Sequence, residues 1–481
     1  MNTFCRARAT LMQCTVLMAL LSPITHLLAQ PTSAAVATTQ GQLNDGTDYR
    51  IDMPSNWNGA VLIGLDYAGR GNPLEGDQNA TNRHLLAQGF AMAGTTRKVT
   101  GWAIHQAARN AVQTLDIFER QYGKPKFAIE YGSSQGGHTA AVSVQTYPDR
   151  WSGAVVQCGG LSGSVGQWQG KLDALFVAKA LLAPQSQLPV TQVPKDFETT
   201  ALPAWRQVLS DAQKTAQGRA RIALAATIAQ LPEWSQTQKP RPQIEDWAAR
   251  QAGLYDSLMV GVSLVGQAMS SRLQVETLSG GNISANAGVD YAALLQRADV
   301  HGLIPKLYEA AHLDLQSDLK ALAQAPRLTA DPKALAYVAS GIFNGDLNVP
   351  VITVNGIGDA ISVVASQSAY EEAVKAAGKS AQLRQVYTAS AGHCGFTPAE
   401  SVAAINTLMH RLQTGQWEGT SAQSMNDRAQ SAQLGLSRFI DYIPAPYLRP
   451  YSRCDLARDL QGTHWLESAT LAQALTTCRH P

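Results

Sequence analysis

Ser134, Asp359 and His393 are of types, and stand in an order, that can carry out acyl transfer. A serine hydroxyl is a weak nucleophile near neutral pH and needs a base within hydrogen-bond reach. Imidazole titrates in that range, and a buried carboxylate fixes its tautomer and stabilises the imidazolium. Ser134 lies in Gly132-Ser133-Ser134-Gln135-Gly136, the G-x-S-x-G pattern. The register selects Ser134, because centring on Ser133 would put Tyr131 and Gln135 where the turn needs glycine. Such a pattern is common in a chain this rich in glycine and serine, so its surroundings must decide. A β-prone run over 127–131 precedes it, and a helix-compatible stretch over 138–145 follows, before the stop at Tyr147-Pro148-Asp149. Strand, sharp turn and helix are what a nucleophile elbow requires.

The partners occupy corresponding places downstream. Asp359 ends Asn355-Gly-Ile-Gly-Asp359, just past an apolar strand over 349–354, and His393 sits in Ala389-Ser-Ala-Gly-His393 after a strand over 382–388. Residues just past the C-terminal ends of parallel strands share one rim. Taken singly, Ser134 reads as a turn serine, His393 as a loop or capping histidine, and Asp359 as a helix N-cap. Together they read as nucleophile, base and orienter. Asp346 is the rival acid, but it precedes its strand and belongs to the opposite rim. An oxyanion formed at Ser134 needs two backbone N–H donors. Gln135, directly after the serine, supplies one, and Tyr67, in the loop after Ala60–Leu65, supplies the other, its ring also able to line the pocket.

The elements that position these residues alternate. An opening hairpin over 39–54 is followed by a turn at Trp57-Asn-Gly, an apolar strand at Ala60–Leu65, a loop rich in Gly, Asn and Pro over 66–77 and a helix over 80–88. A strand over 90–94, an amphipathic helix at Ile104–Tyr122, the elbow and a strand over 153–158 complete the first part. Alternation at this spacing predicts an α/β fold, a mostly parallel sheet with helices on both faces. The core's first part is 38–158. Residues 159–348 show helical patterns with proline breaks, most strongly over 290–322, and read as a mainly helical lid insertion rather than a separate helical domain. The core resumes over 349–418, with helices over 366–377 and at Pro398–Thr414, and 419–481 reads as a C-terminal tail with a Pro/Tyr-rich stretch over 439–451.

Composition bounds the partners and compartment. Of 481 residues 15% are charged and the net charge is +2, so there is no electrostatic footprint for nucleic acid or anionic lipid. Arg6 and Arg8, an apolar run over 11–28 and then small residues have the layout of a secretory signal peptide, residues 1–37, with cleavage after Ala29, Ala34 or, by the small-x-small rule, Ala37. The rival reading is an N-terminal membrane anchor, but the run is short and broken by Gln13 and Pro23. The mature chain then has no transmembrane span and is periplasmic or extracellular. Cleavage removes Cys5 and Cys14, leaving Cys158, Cys394, Cys454 and Cys478 without metal-ligand spacing. An even number in an exported chain favours disulfides. Three connectivities are open. A Cys454–Cys478 bridge would staple the tail and leave Cys158 with Cys394, both near the rim of the chemistry.

The chain resembles exported bacterial α/β-hydrolases of esterase or lipase type. The likeness spans 57–417 and rests on Trp57-Asn-Gly, Ala93-Gly, Thr100-Gly-Trp-Ala103, Gly132-Ser-Ser-Gln-Gly-Gly137, Tyr147-Pro-Asp-Arg150, and Ala391-Gly-His-Cys394 with Phe396-Thr-Pro-Ala-Glu400. Such enzymes commonly carry His-Gly before the oxyanion donor, where this chain has Leu65-Asp66. It is also similar to tannases and feruloyl esterases, in which a cysteine beside the catalytic histidine forms a disulfide near the nucleophile. Cys394 adjoins His393, but Ser133 rather than cysteine adjoins Ser134, so any tether must use Cys158. The resemblance implies the α/β-hydrolase fold and a serine hydrolase of small-molecule or polymeric esters, without metal or cofactor. An amidase or exopeptidase on the same three residues is the nearest rival, and a non-catalytic binding module of the same fold the next.

Overall fold

The computed structural model describes residues 35–69 and 79–464. Strands β1 (Val36–Gln42) and β2 (Asp48–Pro54) form the opening hairpin, followed by β3 (Ala60–Leu65), α1 (Ala80–Ala87), β4 (Ala91–Thr95) and α2 (Ile104–Tyr122). Next come β5 (Phe127–Ser133), α3 (Gln135–Thr146) and β6 (Gly153–Gln157). Among the described residues, nine α-helices then run before the next strand. They are α4 (Gly163–Leu182), α5 (Ala201–Gln213), α6 (Ala216–Ile228), α7 (Trp247–Met259), α8 (Met269–Ser279), α9 (Tyr291–Ala298), α10 (Leu303–Ala310), α11 (Leu315–Gln324) and α12 (Pro332–Val338). The chain continues with β7 (Val351–Gly358), α13 (Ser366–Ala376), β8 (Leu383–Ala391) and α14 (Pro398–Thr414), and closes on α15 (Ala422–Ser431), β9 (Phe439–Ile440) and α16 (Arg453–Asp459).

The nine strands among the described residues join one sheet in the order β1-β2-β4-β3-β5-β6-β7-β8-β9. The run from β4 to β8 is parallel, while β1, β2 and β9 pair antiparallel at the margins. Apolar residues occupy both sides of the central strands, which is why these read as unbroken hydrophobic runs. Ile63, Ala128 and Val156 face Leu115 and Phe118 of α2 and Ala141 of α3. Their neighbours Leu62, Ile129 and Val155 face Leu85 of α1 and Val402 and Ile405 of α14. Successive side chains thus point to opposite faces, each covered by helices.

The insertion between β6 and β7 contains helices and no strand, as its sequence implies, and buries its own core, including Trp205, Leu224 and Leu258. The stretch over 290–322 is not one helix. Asp299 accepts from the N–H groups of Leu303 and Ile304, and Asp314 from Gln316, so each starts a new helix after a tight turn. Residues 419–464 are also more than a tail. Phe439 and Ile440 extend the sheet beside β8, and Arg449 pairs with buried Asp173 of α4 at 2.9 Å. The expected Cys454–Cys478 bridge and the signal segment before residue 35 involve residues outside those described. Since Val36 and Ala37 pair with Pro54 and Met53, cleavage after Ala37 would shorten β1, whereas cleavage after Ala34 would leave it whole. No helix among the described residues is long and apolar enough to cross a membrane.

Candidate active site

Ser134 is the one residue between β5 and α3, with φ 57° and ψ −120°. That left-handed conformation is unfavourable for a residue with a Cβ and persists only where its surroundings enforce it. Enforcement comes from the crossing of strand and helix. A Cβ on Gly132 would lie 2.3 Å from the carbonyl carbon of Gly136, and one on Gly137 would lie 2.7 Å from the carbonyl oxygen of Gln157. Gly136 itself has ordinary room, so the closest approaches fall on Gly132 and Gly137. Asp66, Cys158 and Cys394 also have positive φ, and with Ser134 they make four of the eight such non-glycine residues among those described. Backbone strain therefore concentrates around this site.

Ser134 Oγ lies 2.7 Å from His393 Nε2, and His393 Nδ1 lies 2.9 and 3.0 Å from the two carboxylate oxygens of Asp359. An ionised carboxylate can only accept, so Nδ1 carries the proton and Nε2 is left to accept from the serine. Asp359 is 1% exposed, and its carboxylate also accepts from the backbone N–H of Ile361, Ser362 and Cys394 at 2.8, 2.9 and 3.2 Å. These bonds fix the carboxylate's direction toward His393. Ser133 points elsewhere: its hydroxyl donates to Gln157 Oε1 at 3.1 Å, while Ser134 N–H donates to the Gln157 carbonyl. Asp346 stands apart in an exposed pair with Lys379.

The cysteine beside His393 is bonded to Cys158, with Cα atoms 5.4 Å apart. Cys158, Asp359 and Cys394 are the one His/Cys/Asp/Glu group with metal-like proximity among the described residues. Because its sulfurs are bonded to each other, it offers a single carboxylate to an ion.

Gln135 is the first residue of α3, where a backbone N–H has no intrahelical acceptor. Tyr67 opens a short 3₁₀ turn straight after β3. Its ring does not line the cavity holding Ser134 and His393, contrary to expectation. The phenol instead donates to buried Asp52 at 2.6 Å, because a buried O–H seeks an acceptor, and the ring borders a separate cavity with Ser133 and Cys394. Burial first, then the Asp52 charge, push its pKa well up.

The residues that tie these loops together and form the cavity wall carry no motif in the sequence. Arg97 donates to both carboxylate oxygens of Asp66 and to Gln135 Oε1, joining the loop before Tyr67 to the start of α3. The cavity at Ser134 and His393, of about 320 Å³, is lined further by Arg97, Trp102, Trp168, Lys171 and Ile361. The one available signal was charge in an apolar context: Lys171 and Asp173 interrupt a run of glycine and apolar residues over 170–178 in α4.

The strand order, with Ser134 on a sharp turn between β5 and α3, defines an α/β-hydrolase fold. The chain belongs to the tannase-like family of unknown function (DUF6351), whose pattern it matches over residues 41–374. It is 32% identical over 424 residues to an o-phthalyl amidase of Xanthobacter agilis, covering 82% of this chain and 91% of the relative. Among solved structures it is similar to feruloyl esterase B from Aspergillus oryzae, with 16% identity, TM-score 0.36 and coverage of 80% of this chain and 82% of the other. It is also similar to Candida antarctica lipase A, with 12% identity, TM-score 0.36 and coverage of 92% and 86%.

Proposed function

We propose that the protein is a serine hydrolase that cleaves carboxylic esters through an acyl-enzyme on Ser134. The observation that carries this reading is the unbroken chain from Ser134 Oγ through the imidazole of His393 to Asp359. Ser134 Oγ attacks the substrate carbonyl as His393 Nε2 takes its proton, and Asp359 stabilises the resulting imidazolium. The backbone N–H groups of Gln135 and Tyr67 receive the oxyanion, with Arg97 holding their two loops in register. His393 then returns the proton to the leaving oxygen, the ester bond breaks and an acyl-Ser134 remains. Water, deprotonated by the same imidazole, attacks that acyl group and releases the acid and free Ser134. These steps draw on no metal or cofactor.

Amides of the same acyl group are the second reading, favoured by the name of the Xanthobacter relative. The same residues serve, with the proton going to a leaving nitrogen. The insertion acts as a lid, a role supported by Gln167, Trp168, Lys171, Val262 and Ser271, which it contributes to the cavity wall. Export is supported by the Cys158–Cys394 disulfide and the signal-like N-terminal segment. A panel of p-nitrophenyl acyl esters and matching p-nitroanilides, given to the purified mature protein, tests the reading. Turnover of esters is expected, and turnover of anilides alone would assign an amidase. Folded protein inert toward both would overturn the proposal.

A further inference from the structure

Lys171 is a buried charge that the acyl-transfer steps leave unused. It lies on α4, is 9% exposed and lines the cavity that holds Ser134 and His393. An ammonium has three hydrogens to donate, yet among the described residues the one acceptor it bonds is the carbonyl of Gln167, 3.2 Å away. The Trp168 ring lies beside it, with Nζ 5.1 Å from the centroid. Lysine is almost never buried without a partner of opposite charge. Other deeply buried cations obey that rule: Arg272 pairs with Glu276 and Arg250 with Glu233. Lys171 makes no ion pair among the described residues. The carboxylate that acts on it electrostatically, Asp359, is already engaged by His393 and three backbone N–H groups.

The cavity shares this imbalance. No Asp or Glu is among its described lining residues, and its second cation, Arg97, is committed to Asp66 and Gln135. Burial, and then the Arg272 guanidinium, pull the Lys171 ammonium down to about 7, with Asp359 working against them. An anion entering the cavity would supply the missing partner. Trp102 and Trp168, packed edge to face at 5.9 Å, give the same cavity flat apolar walls suited to a ring.

We propose that Lys171 is the anion-binding residue of the substrate pocket and that the preferred substrates are aromatic esters or amides carrying a carboxylate near the scissile carbonyl. The proposal rests on the hydrolase reading and narrows its substrate class. Two matched pairs of esters locate the carboxylate. p-Nitrophenyl isophthalate monoester against p-nitrophenyl benzoate places it on the acyl part, and carboxyphenyl benzoate against phenyl benzoate places it on the leaving group. A charge-assisted hydrogen bond leads us to expect a preference of about tenfold or more in kcat/KM for the charged member of one pair. Lys171→Met should erase that preference mainly through KM, and Lys171→Arg should restore part of it.

Calorimetry with isophthalate supplies a readout free of turnover. The wild-type protein should bind it, Ser134→Ala should bind it comparably, and Lys171→Met should bind it about tenfold or more weakly. Absence of both a charge preference and isophthalate binding in the wild-type protein would overturn the proposal, even if Lys171→Met failed to fold. Equal losses on charged and neutral esters in Lys171→Met would do the same, since they mark a merely structural lysine. Lys171-dependent isophthalate binding without any turnover would sustain the subsite and sink the hydrolase reading instead.

Discussion

Cys394, the residue after His393, is bonded to Cys158, the residue after β6, so the histidine loop is fastened to the strand beside the one that presents Ser134. The bridge closes a sequence separation of 236 residues across the entire helical insertion. It restrains a loop opened by Gly392 at φ 81°, whose ordering would otherwise be entropically unfavourable. Chain-entropy reasoning gives such a closure a stabilisation of about 5 kcal/mol, less any native strain.

Reduction should therefore act on turnover before it acts on the fold. With increasing reductant, ester hydrolysis is expected to fall while far-ultraviolet circular dichroism stays native, and Cys158→Ser with Cys394→Ser should reproduce the loss. Full activity in the double variant would show that the histidine loop needs no tether.

Ser134→Ala should abolish turnover and leave the melting temperature close to wild type, since the hydroxyl's partner within the protein is the His393 ring. Ser133→Ala should keep most of the activity, because that hydroxyl donates to Gln157. Steady-state rates at matched folding decide the register, and the reverse pattern would reassign the nucleophile to Ser133.

Asp359→Asn is expected to lower kcat by about 10³- to 10⁴-fold, because an amide can donate to Nδ1 and favour the wrong tautomer. Asp346→Asn, at an exposed pair with Lys379, should change kcat little. Comparable losses in both variants would remove Asp359 from the role of orienter.

Glu130 provides a pH test of the core beneath the site. It sits in β5, is 1% exposed, and its Oε2 has no hydrogen-bond partner among the described residues. Burial pushes its pKa well above the ordinary 4.5. The folded state then holds this proton over a pH range in which the unfolded state has released it. Stability from this residue is present below about pH 4.5 and lost as pH rises from there toward the folded value. Glu130→Gln should accordingly raise the melting temperature at neutral pH and give no such gain near pH 4. A gain independent of pH would contradict the account.

Much of this site is legible in the sequence because its geometry is local. The Gly132–Gly137 crossing fixes Ser134, and Asp359 and His393 follow strands whose apolar runs are long enough to read. Chain order and a common rim do the rest. The legible part ends where position depends on distant partners. Tyr67 turns its ring away because Asp52, fifteen residues earlier, offers a buried acceptor. Arg97 matters only because Asp66 and Gln135 converge on it. The two-residue strand β9 is too short to leave a periodic pattern and exists by pairing with β8. Lys171 enters the cavity because a helix that follows β6 packs over the rim, which no spacing in the sequence encodes.

The central claim, that Ser134 is a nucleophile activated by His393, is tested most directly by a fluorophosphonate probe followed by peptide mass spectrometry. Folded protein should acquire one adduct, on Ser134, with labelling lost in Ser134→Ala and strongly slowed in His393→Ala. An adduct on Ser133 or elsewhere, or folded wild-type protein that takes up no label, would contradict it.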